Sequence, residues 1–336
     1  MLLDFSITDR VAAPKTCGSR IVSRAPAASA GANVAILLCT MQGRKYLPDQ
    51  LDSIRGQTHA LWSIWASDVG STVGTRDILG EYQAKLGATR LCFRDGPAKG
   101  YAANFLSLVC DARVTADYYA YADQDDIWES NKLELALEWL QTIPSHVPAL
   151  YCTRTRSVDV NNHEIGLSPL FAKPPSFANA LIQSLAGGNT MVFNDAARNL
   201  LCGAGPDVPA VSHDWWTYMV VAGCGGQVLY DPVPSVRYRQ HESNLVGTNN
   251  DWRARLVRVR MLLQGRFRDW NDKNMLALEC IRGRLTPENR GLLDKFSKAR
   301  NRRLVSRLVG LRRCGIYRQT LLGNLGLIAA TFLKKL

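Results

Sequence analysis

From Tyr118 to Leu133 the chain reads YYAYADQDDIWESNKL, a short aromatic and apolar run that breaks directly into Asp123, Gln124, Asp125 and Asp126. A run of that length and character is a buried strand. Three carboxylates crowded at its end repel one another unless they share a cation. All-oxygen ligands of this kind suit Mg²⁺ or Mn²⁺, whose remaining positions go to water and to a substrate's phosphates. The alternative is a solvated acidic turn that caps the helix predicted from Asn131 onward, with Leu133, Leu135, Leu137 and Leu140 among charged residues. The strand before the acids and Trp128 after them favour a site.

The segments upstream fix the setting of that strand. Val34 to Thr40 (VAILLCT) is a continuous apolar run, as in a strand buried on both faces. Helical spacing follows over Tyr46 to Gln57, a second strand over Leu61 to Ala66 ending at Ser67-Asp68, and a turn at Gly70 to Thr72. A helix through Ile78, Leu79 and Tyr82, a strand from Leu91 to Phe93, and a helix through Phe105 and Leu108 complete the lead-in to Tyr118. Strand–helix alternation with short links predicts a mostly parallel sheet with flanking helices. Ligands of such sheets bind beyond the carboxyl ends of the strands, where Thr40, Asp68 and Asp123 fall. No GxGxxG follows the first strand and no Walker lysine loop occurs, which argues against a dinucleotide-binding dehydrogenase.

After Ile143 the alternation breaks. A strand is expected over Leu150 to Arg154, a turn or hairpin over Ser157 to Ile165, and another strand over Thr190 to Phe193. Gly187 and Gly188 before it suit either a close backbone approach to a ligand or a plain turn. Ser212-His213-Asp214 opens an amphipathic helix through Trp216, Met219 and Val220, where an acid is also an ordinary cap. Two further strands are predicted, Gln227 to Tyr230 and Val236 to Gln240.

Charge is unevenly spread. Of 41 Lys and Arg and 29 Asp and Glu, residues 251–336 hold 21 and 6, leaving 20 and 23 for the rest. The net charge of +12 therefore resides in the tail, and the partner it predicts is an anionic surface, nucleic acid or lipid. Arg alternating with Leu, Val and Met, as in RARLVRVRMLLQGRF, suits a helix lying on an anionic membrane; a solvated helical subdomain is the alternative. No apolar run is long enough to cross a bilayer, and the N-terminus lacks the layout of a signal peptide. Nine scattered cysteines without a CxxC pair indicate reduced thiols, hence a cytoplasmic protein without a zinc or disulfide frame.

Taken in order, Asp68 with Gly70-Ser71, Asp123-Gln124-Asp125-Asp126-Ile127-Trp128, His213-Asp214-Trp215-Trp216 and Tyr238-Arg239-Gln240-His241 resemble family 2 glycosyltransferases of the GT-A fold. The likeness is greatest to the bacterial rhamnosyltransferase-like branch that builds surface polysaccharides, and it covers about residues 33–250. The resemblance implies a GT-A nucleotide-sugar domain over 33–250; residues 1–32, rich in Ala, Ser, Pro and Arg without a sustained period, read as a flexible leader, and 251–336 as a basic, amphipathic helical region. It assigns Asp123, Asp125, Asp126 and His241 to a Mg²⁺ or Mn²⁺ ion, with Asp123 also facing the donor, and Asp214 to the catalytic base. Donor contacts fall on Thr40, Gln42, Asp68, Gly70, Ser71, Lys99, Asn104, Gly187, Gly188 and Arg239. Trp215 and Trp216 are candidates to stack on an acceptor sugar, with a core role the alternative for either.

The implied reaction is an inverting transfer of a sugar, rhamnose being the one suggested, from a nucleotide diphosphate to a saccharide or lipid-linked saccharide at the inner face of the plasma membrane. Where the family pattern has acids, this chain has Val69 and Val73, and Met41-Gln42-Gly43 replaces Tyr-Asn-Gly. Those changes bear on recognition of the nucleotide. Two other readings remain: a catalytically silent sugar-nucleotide-binding scaffold, which would explain Val69 and Val73, and a nucleic-acid-binding module acting through the tail, which would explain the tail but not the aspartates.

Overall fold

The computed structural model describes residues 31–72, 74–241 and 265–336. Nearly all of the expected leader, Val73, and the opening of the basic tail up to residue 264 lie outside the described residues.

Val34–Thr40 forms β1, and its seven residues are almost wholly buried because parallel strands cover both of its edges. β2 (Trp62–Asp68) and β4 (Tyr118–Asp123) flank it, and β3 (Leu91–Asp95) extends the parallel part beyond β2. The crossovers are α1 (Leu47–Arg55), α2 (Thr75–Leu86) and α3 (Tyr101–Val109). Each begins just beyond the carboxyl edge of the sheet. β5 (Ile127–Trp128), α4 (Lys132–Leu140), β6 (Ala149–Val158) and the hairpin strand β7 (Glu164–Leu167) follow. A short helix α5 (Phe177–Ala180), a 3₁₀ turn (Gly188–Thr190) and β8 (Val192–Asn194) lead to α6 (Asp195–Ala204) and α7 (His213–Gly223). With β9 (Gln227–Arg239) following α7, the sheet runs β3-β2-β1-β4-β8-β6-β9-β5, antiparallel where β8 joins β4 and β6.

Period-two alternation along β1 divides the core. Val34, Ile36 and Leu38 pack with Leu47, Leu51 and Leu137 on the side of α1 and α4. Ala35 and Leu37 face Phe105, Tyr121, Phe193 and Trp216 on the other side.

The sequence predicts two strands after α7, whereas the structure has one, β9 (Gln227–Arg239). Its register against β6 jumps between Thr153↔Asp231 and Thr155↔Val236, so Pro232 and Pro234 fall in a bulge where their missing N–H groups break no ladder. The length of β9 matters, because it carries Arg239 and His241 back to the acidic loop after β4.

The described part of the basic region is helical: α8 (Arg266–Cys280), α9 (Pro287–Arg300), α10 (Leu304–Arg313) and α11 (Leu321–Phe332). It is packed onto the body. Leu278, Ile281, Leu293 and Phe296 share one buried cluster with Trp216 and Tyr218 of α7. The Thr286 amide donates to Gly223 O at 3.1 Å, and Asn289 Nδ2 donates to the carbonyls of Ala222 and Gly223 that end α7.

Candidate active site

Register brings the expected residues to one edge: Thr40 pairs with Asp68, and Cys39 with Asp123. The loops beyond β1 and β2 are knitted together there. Asp68, buried, accepts from Thr40 Oγ1 at 2.7 Å, Ser71 Oγ at 2.6 Å and Ser71 N at 3.0 Å. Gln42, held at a positive φ of 53°, donates its amide to Ser71 Oγ at 2.8 Å and its side-chain NH₂ to Thr72. Gly70 has a φ of 61°, a conformation that glycine adopts without strain. Thr40, Asp68 and Ser71 thus shape this loop pair through bonds to one another.

Gln124 ties the acidic loop to the same rim. Its Oε1 accepts from Met41 N at 2.8 Å and its Nε2 donates to Met41 O at 2.9 Å. Gly43 is required beneath it, since a Cβ there would lie 2.3 Å from Gln124 Oε1.

The three aspartates separate into two environments. Asp123 and Asp125 are partly exposed, whereas Asp126 is fully buried. Asp126 Oδ2 accepts from Asn189 Nδ2, 2.5 Å away, and Oδ1 accepts from Arg239 N at 3.3 Å. With both oxygens turned inward and engaged, Asp126 does not fit the expected role of metal ligand; it anchors the loop from below. Burial raises its carboxyl to about 7, the Asp125 charge adding to the effect. Lys132, buried in the first turn of α4, donates Nζ to Asn189 O at 2.8 Å over the ring of Trp128. Burial pulls its ammonium down to about 7, while Asp126 and Asp123 act in the opposite direction. Lys132 thus ties the first turn of α4 to the Asn189 carbonyl beneath the acidic rim. Burial, then Asp126, Asp125 and Asp214, push the Asp123 carboxyl well above the ordinary range. Crowded carboxylates of this kind are relieved by an added cation.

At the rim, His241 Nε2 lies 2.8 Å from Asp125 Oδ2, and the imidazole stacks on Tyr46 with centroids 5.1 Å apart. Among the described residues no three His, Cys, Asp or Glu side chains converge as a closed metal cage. The donor chemistry nevertheless fits a divalent ion, because Mg²⁺ or Mn²⁺ needs only one or two protein carboxylates when diphosphate and water supply the rest. Asp123 and Asp125 are the carboxylates that would fit this need, with His241 beside Asp125.

Arg239, expected near phosphate, is instead a brace. Its guanidinium donates to Asp125 O at 3.1 Å, Val160 O at 2.8 Å and Asp49 Oδ2 at 2.7 Å, and lies over the ring of Tyr46. Asn104, also expected to meet the donor, is buried and locks α3 to β2 by accepting from Ser67 Oγ at 2.6 Å and donating to Ser67 O at 3.1 Å. Lys99 is exposed and paired with Asp207 at 2.7 Å.

Asp214 stands in the first turn of α7, where Oδ1 accepts from the Trp215 amide at 2.7 Å. Its charge bears on both Asp123 and Tyr101; burial and then Asp214 raise the Tyr101 phenol to about 12. His213 beside it is buried against Phe105, ring centroids 3.9 Å apart, and burial lowers its pKa to about 4. A Cβ on Gly188 would lie 2.2 Å from His213 Nε2, so this glycine answers to the imidazole packed against it. A Cβ on Gly187 would meet Asn189 Oδ1 at 2.7 Å. The two tryptophans do not offer faces to an acceptor. Trp215 is 7% exposed and donates Nε1 to Ala180 O at 2.6 Å, and Trp216 is 0% exposed.

Tyr46, Tyr101, Lys132 and Asn189 belong to this site and were not singled out from sequence. Lys132 reads there as one more solvated charge at a helix start. Only the fold reveals that it points inward.

A mixed sheet with an acidic strand edge, closed by a long returning strand and a helix start, defines a nucleotide-sugar transferase of the GT-A type. The crystal structure of residues 1–349 of S. aureus TarS has this fold, with a TM-score of 0.50 at 14% identity over 84% of this chain and 90% of that one. Residues 35–201 match the family model described as Glycosyl transferase family 2, and the chain belongs to that family of glycosyltransferases. It is 27% identical over 234 residues to the dTDP-rhamnosyl transferase RfbG of Shigella flexneri, covering 66% of this chain and 78% of that protein. It is also 30% identical over 107 residues to TuaG of Bacillus subtilis, a glycosyltransferase assigned by name to teichuronic acid biosynthesis, over 32% of this chain and 41% of that protein.

Proposed function

We propose that this glycosyltransferase is inverting and divalent-metal-dependent, and that it moves a sugar from a nucleotide diphosphate to a saccharide or lipid-linked saccharide during cell-surface polysaccharide synthesis. The observation that carries the reading is the meeting of Asp125 and His241 at a rim whose Asp123 also feels the charge of Asp214. Asp123 and Asp125 would hold Mg²⁺ or Mn²⁺, with His241 alongside. Such an ion, when bound, offsets the negative charge that develops on a departing diphosphate.

The chain's own groups do the rest. Gln124 and Gln42 hold the rim loops in place against the donor. Asp214 accepts the proton of the acceptor hydroxyl, which acidifies as its bond to the sugar forms; positioned proton transfer of this kind contributes roughly 10²–10⁴-fold. A single displacement served by a single base inverts the anomeric carbon. Lys132 and Arg239 keep the acidic loop in place from beneath, so the exposed carboxylates face the donor.

A dTDP-linked deoxysugar is the donor class favoured, because a relative matched over 234 residues is named a dTDP-rhamnosyl transferase. Val69, in place of an acid, leaves a less polar wall beside the nucleotide and makes its selectivity this chain's own. Among the described residues no helix is long and apolar enough to cross a membrane. The proposed location is the cytoplasmic face, with the enzyme held peripherally against the plasma membrane. The test is release of nucleoside diphosphate from a panel of dTDP-, UDP- and GDP-sugars. Release with one donor that stops in excess EDTA supports the reading, and EDTA-insensitive release opposes the metal role.

A further inference from the structure

Beyond Asp294 the chain carries eleven Lys and Arg and no Asp or Glu up to residue 336. Within that stretch α11 buries Ala330 and Thr331 but leaves Leu321, Leu325, Ile328 and Phe332 exposed, at 78%, 54%, 52% and 56%. Their spacing of four, three and four residues places them on one side of the helix. Leu322 and Leu333 widen the stripe at its two ends. Leaving this much contiguous apolar surface in water is unfavourable and marks a contact face. Arg312 and Arg313 are exposed at the end of α10, Arg318 lies just before α11, and Lys334 is exposed just past it. The face is not a loose appendage. Arg307 Nη2 of α10 donates to Phe332 O at 3.5 Å, and Gln319 exchanges hydrogen bonds with Lys173 of the catalytic body.

We propose that α11, with the basic end of α10, is an interfacial docking element that seats its leucine face in an anionic lipid bilayer. A nucleic acid would satisfy the arginines but not cover the leucines. A second copy of this chain would set two rims of the same charge against each other. An anionic bilayer satisfies both parts, since acyl chains take the apolar side chains and lipid phosphates take the basic ones. At about 1.5 Å per residue a helix of this length reaches about 18 Å, enough to lie in an interface and too short to cross about 30 Å of hydrocarbon. Because the helix is fastened to the body, docking would set the orientation of the whole enzyme. The inference deepens the peripheral location proposed above, but it is read without any sugar donor.

The full chain is mixed with phosphatidylglycerol vesicles or phosphatidylcholine vesicles and sedimented. Co-sedimentation with phosphatidylglycerol at least about tenfold stronger than with phosphatidylcholine is expected. A Leu325→Glu/Ile328→Glu double variant should lose about tenfold or more of that binding with an unchanged thermal midpoint. An Arg312→Glu/Arg313→Glu variant should lose most of the dependence on lipid charge. Unchanged binding in the leucine variant overturns the proposal. So does a dimer of the wild type that the same variant dissolves, which would assign the face to self-association. Loss of vesicle binding with intact nucleotide-sugar turnover, or the reverse, separates this inference from the reaction.

Discussion

His241 Nε2 lies 2.8 Å from Asp125 Oδ2, joining the residue after β9 to the loop after β4 across 116 positions of sequence. The contact depends on the bulge that lets β9 run unbroken past two prolines, and on Arg239, which donates to the Asp125 carbonyl from the same strand. Carboxylate and imidazole are brought together where a cation would best relieve the crowded acids.

The pair predicts a graded metal phenotype. His241→Ala should weaken Mn²⁺ affinity in the presence of nucleotide diphosphate by about 10–100-fold, the usual effect of removing a group that orients a metal-binding carboxylate. Asp125→Ala should abolish it. Calorimetric Mn²⁺ titration checks both, and equal affinity in His241→Ala and wild type counts against a role for the imidazole.

Asp214→Asn should bind donor as the wild type does yet lose roughly 10²–10⁴-fold in turnover, since the amide keeps the size of the side chain and removes the base. Thermal shift with nucleotide sugar reads the first quantity and a product assay the second. Near-normal turnover in this variant would transfer the base role to another group.

Lys132 is buried, and the charges of Asp126 and Asp123 oppose the effect of burial on its ammonium. Replacing it with Met leaves the buried Asn189 carbonyl without its donor and removes a charge that acts with Asp126 and Asp123, so a loss of about 1–3 kcal/mol is expected. Adding Asp126→Asn to Lys132→Met should recover a large part of that loss. Denaturant melts of the two single variants and the double measure the coupling, and strict additivity would deny it.

His213 should make the fold acid-sensitive. Burial holds its folded pKa near 4, below the ordinary value of 6.5. The unfolded chain therefore takes up the proton first as pH falls. The stabilisation is complete above pH 6.5 and is lost toward pH 4, by about 2 kcal/mol between pH 6.5 and pH 5 at about 1.4 kcal/mol per pH unit. The drop in unfolding free energy over that range should be smaller by this amount in His213→Gln than in wild type. Equal slopes would show that the imidazole is not responsible.

The parallel half of the sheet was legible in the sequence because buried strands and crossover helices have distinct periods. VAILLCT and YYAYAD were located to within a residue, and the acids followed from where parallel strands end. The roles of individual acids were less legible. Asp125 and Asp126 are neighbours of identical chemistry, and only the turn between β4 and β5 decides that one faces out and the other meets Asn189. Trp215 and Trp216 carry no sign in the sequence that the start of α7 is packed on two sides. Arg239 was expected among the donor contacts as a basic residue near the end of a strand. Asp49 of α1, Asp125 of the loop after β4 and Val160 of the β6–β7 turn all accept from it, and no local pattern connects them.

Calorimetry of nucleotide sugars with Mn²⁺, comparing wild type with Asp125→Ala, tests the role of the acidic rim most directly. The expected result is that at least one nucleotide sugar binds the wild type only with the ion present and fails to bind the variant under the same conditions. Binding of equal strength in EDTA and in Asp125→Ala would contradict the account, for the acidic rim would then have no part in holding the donor.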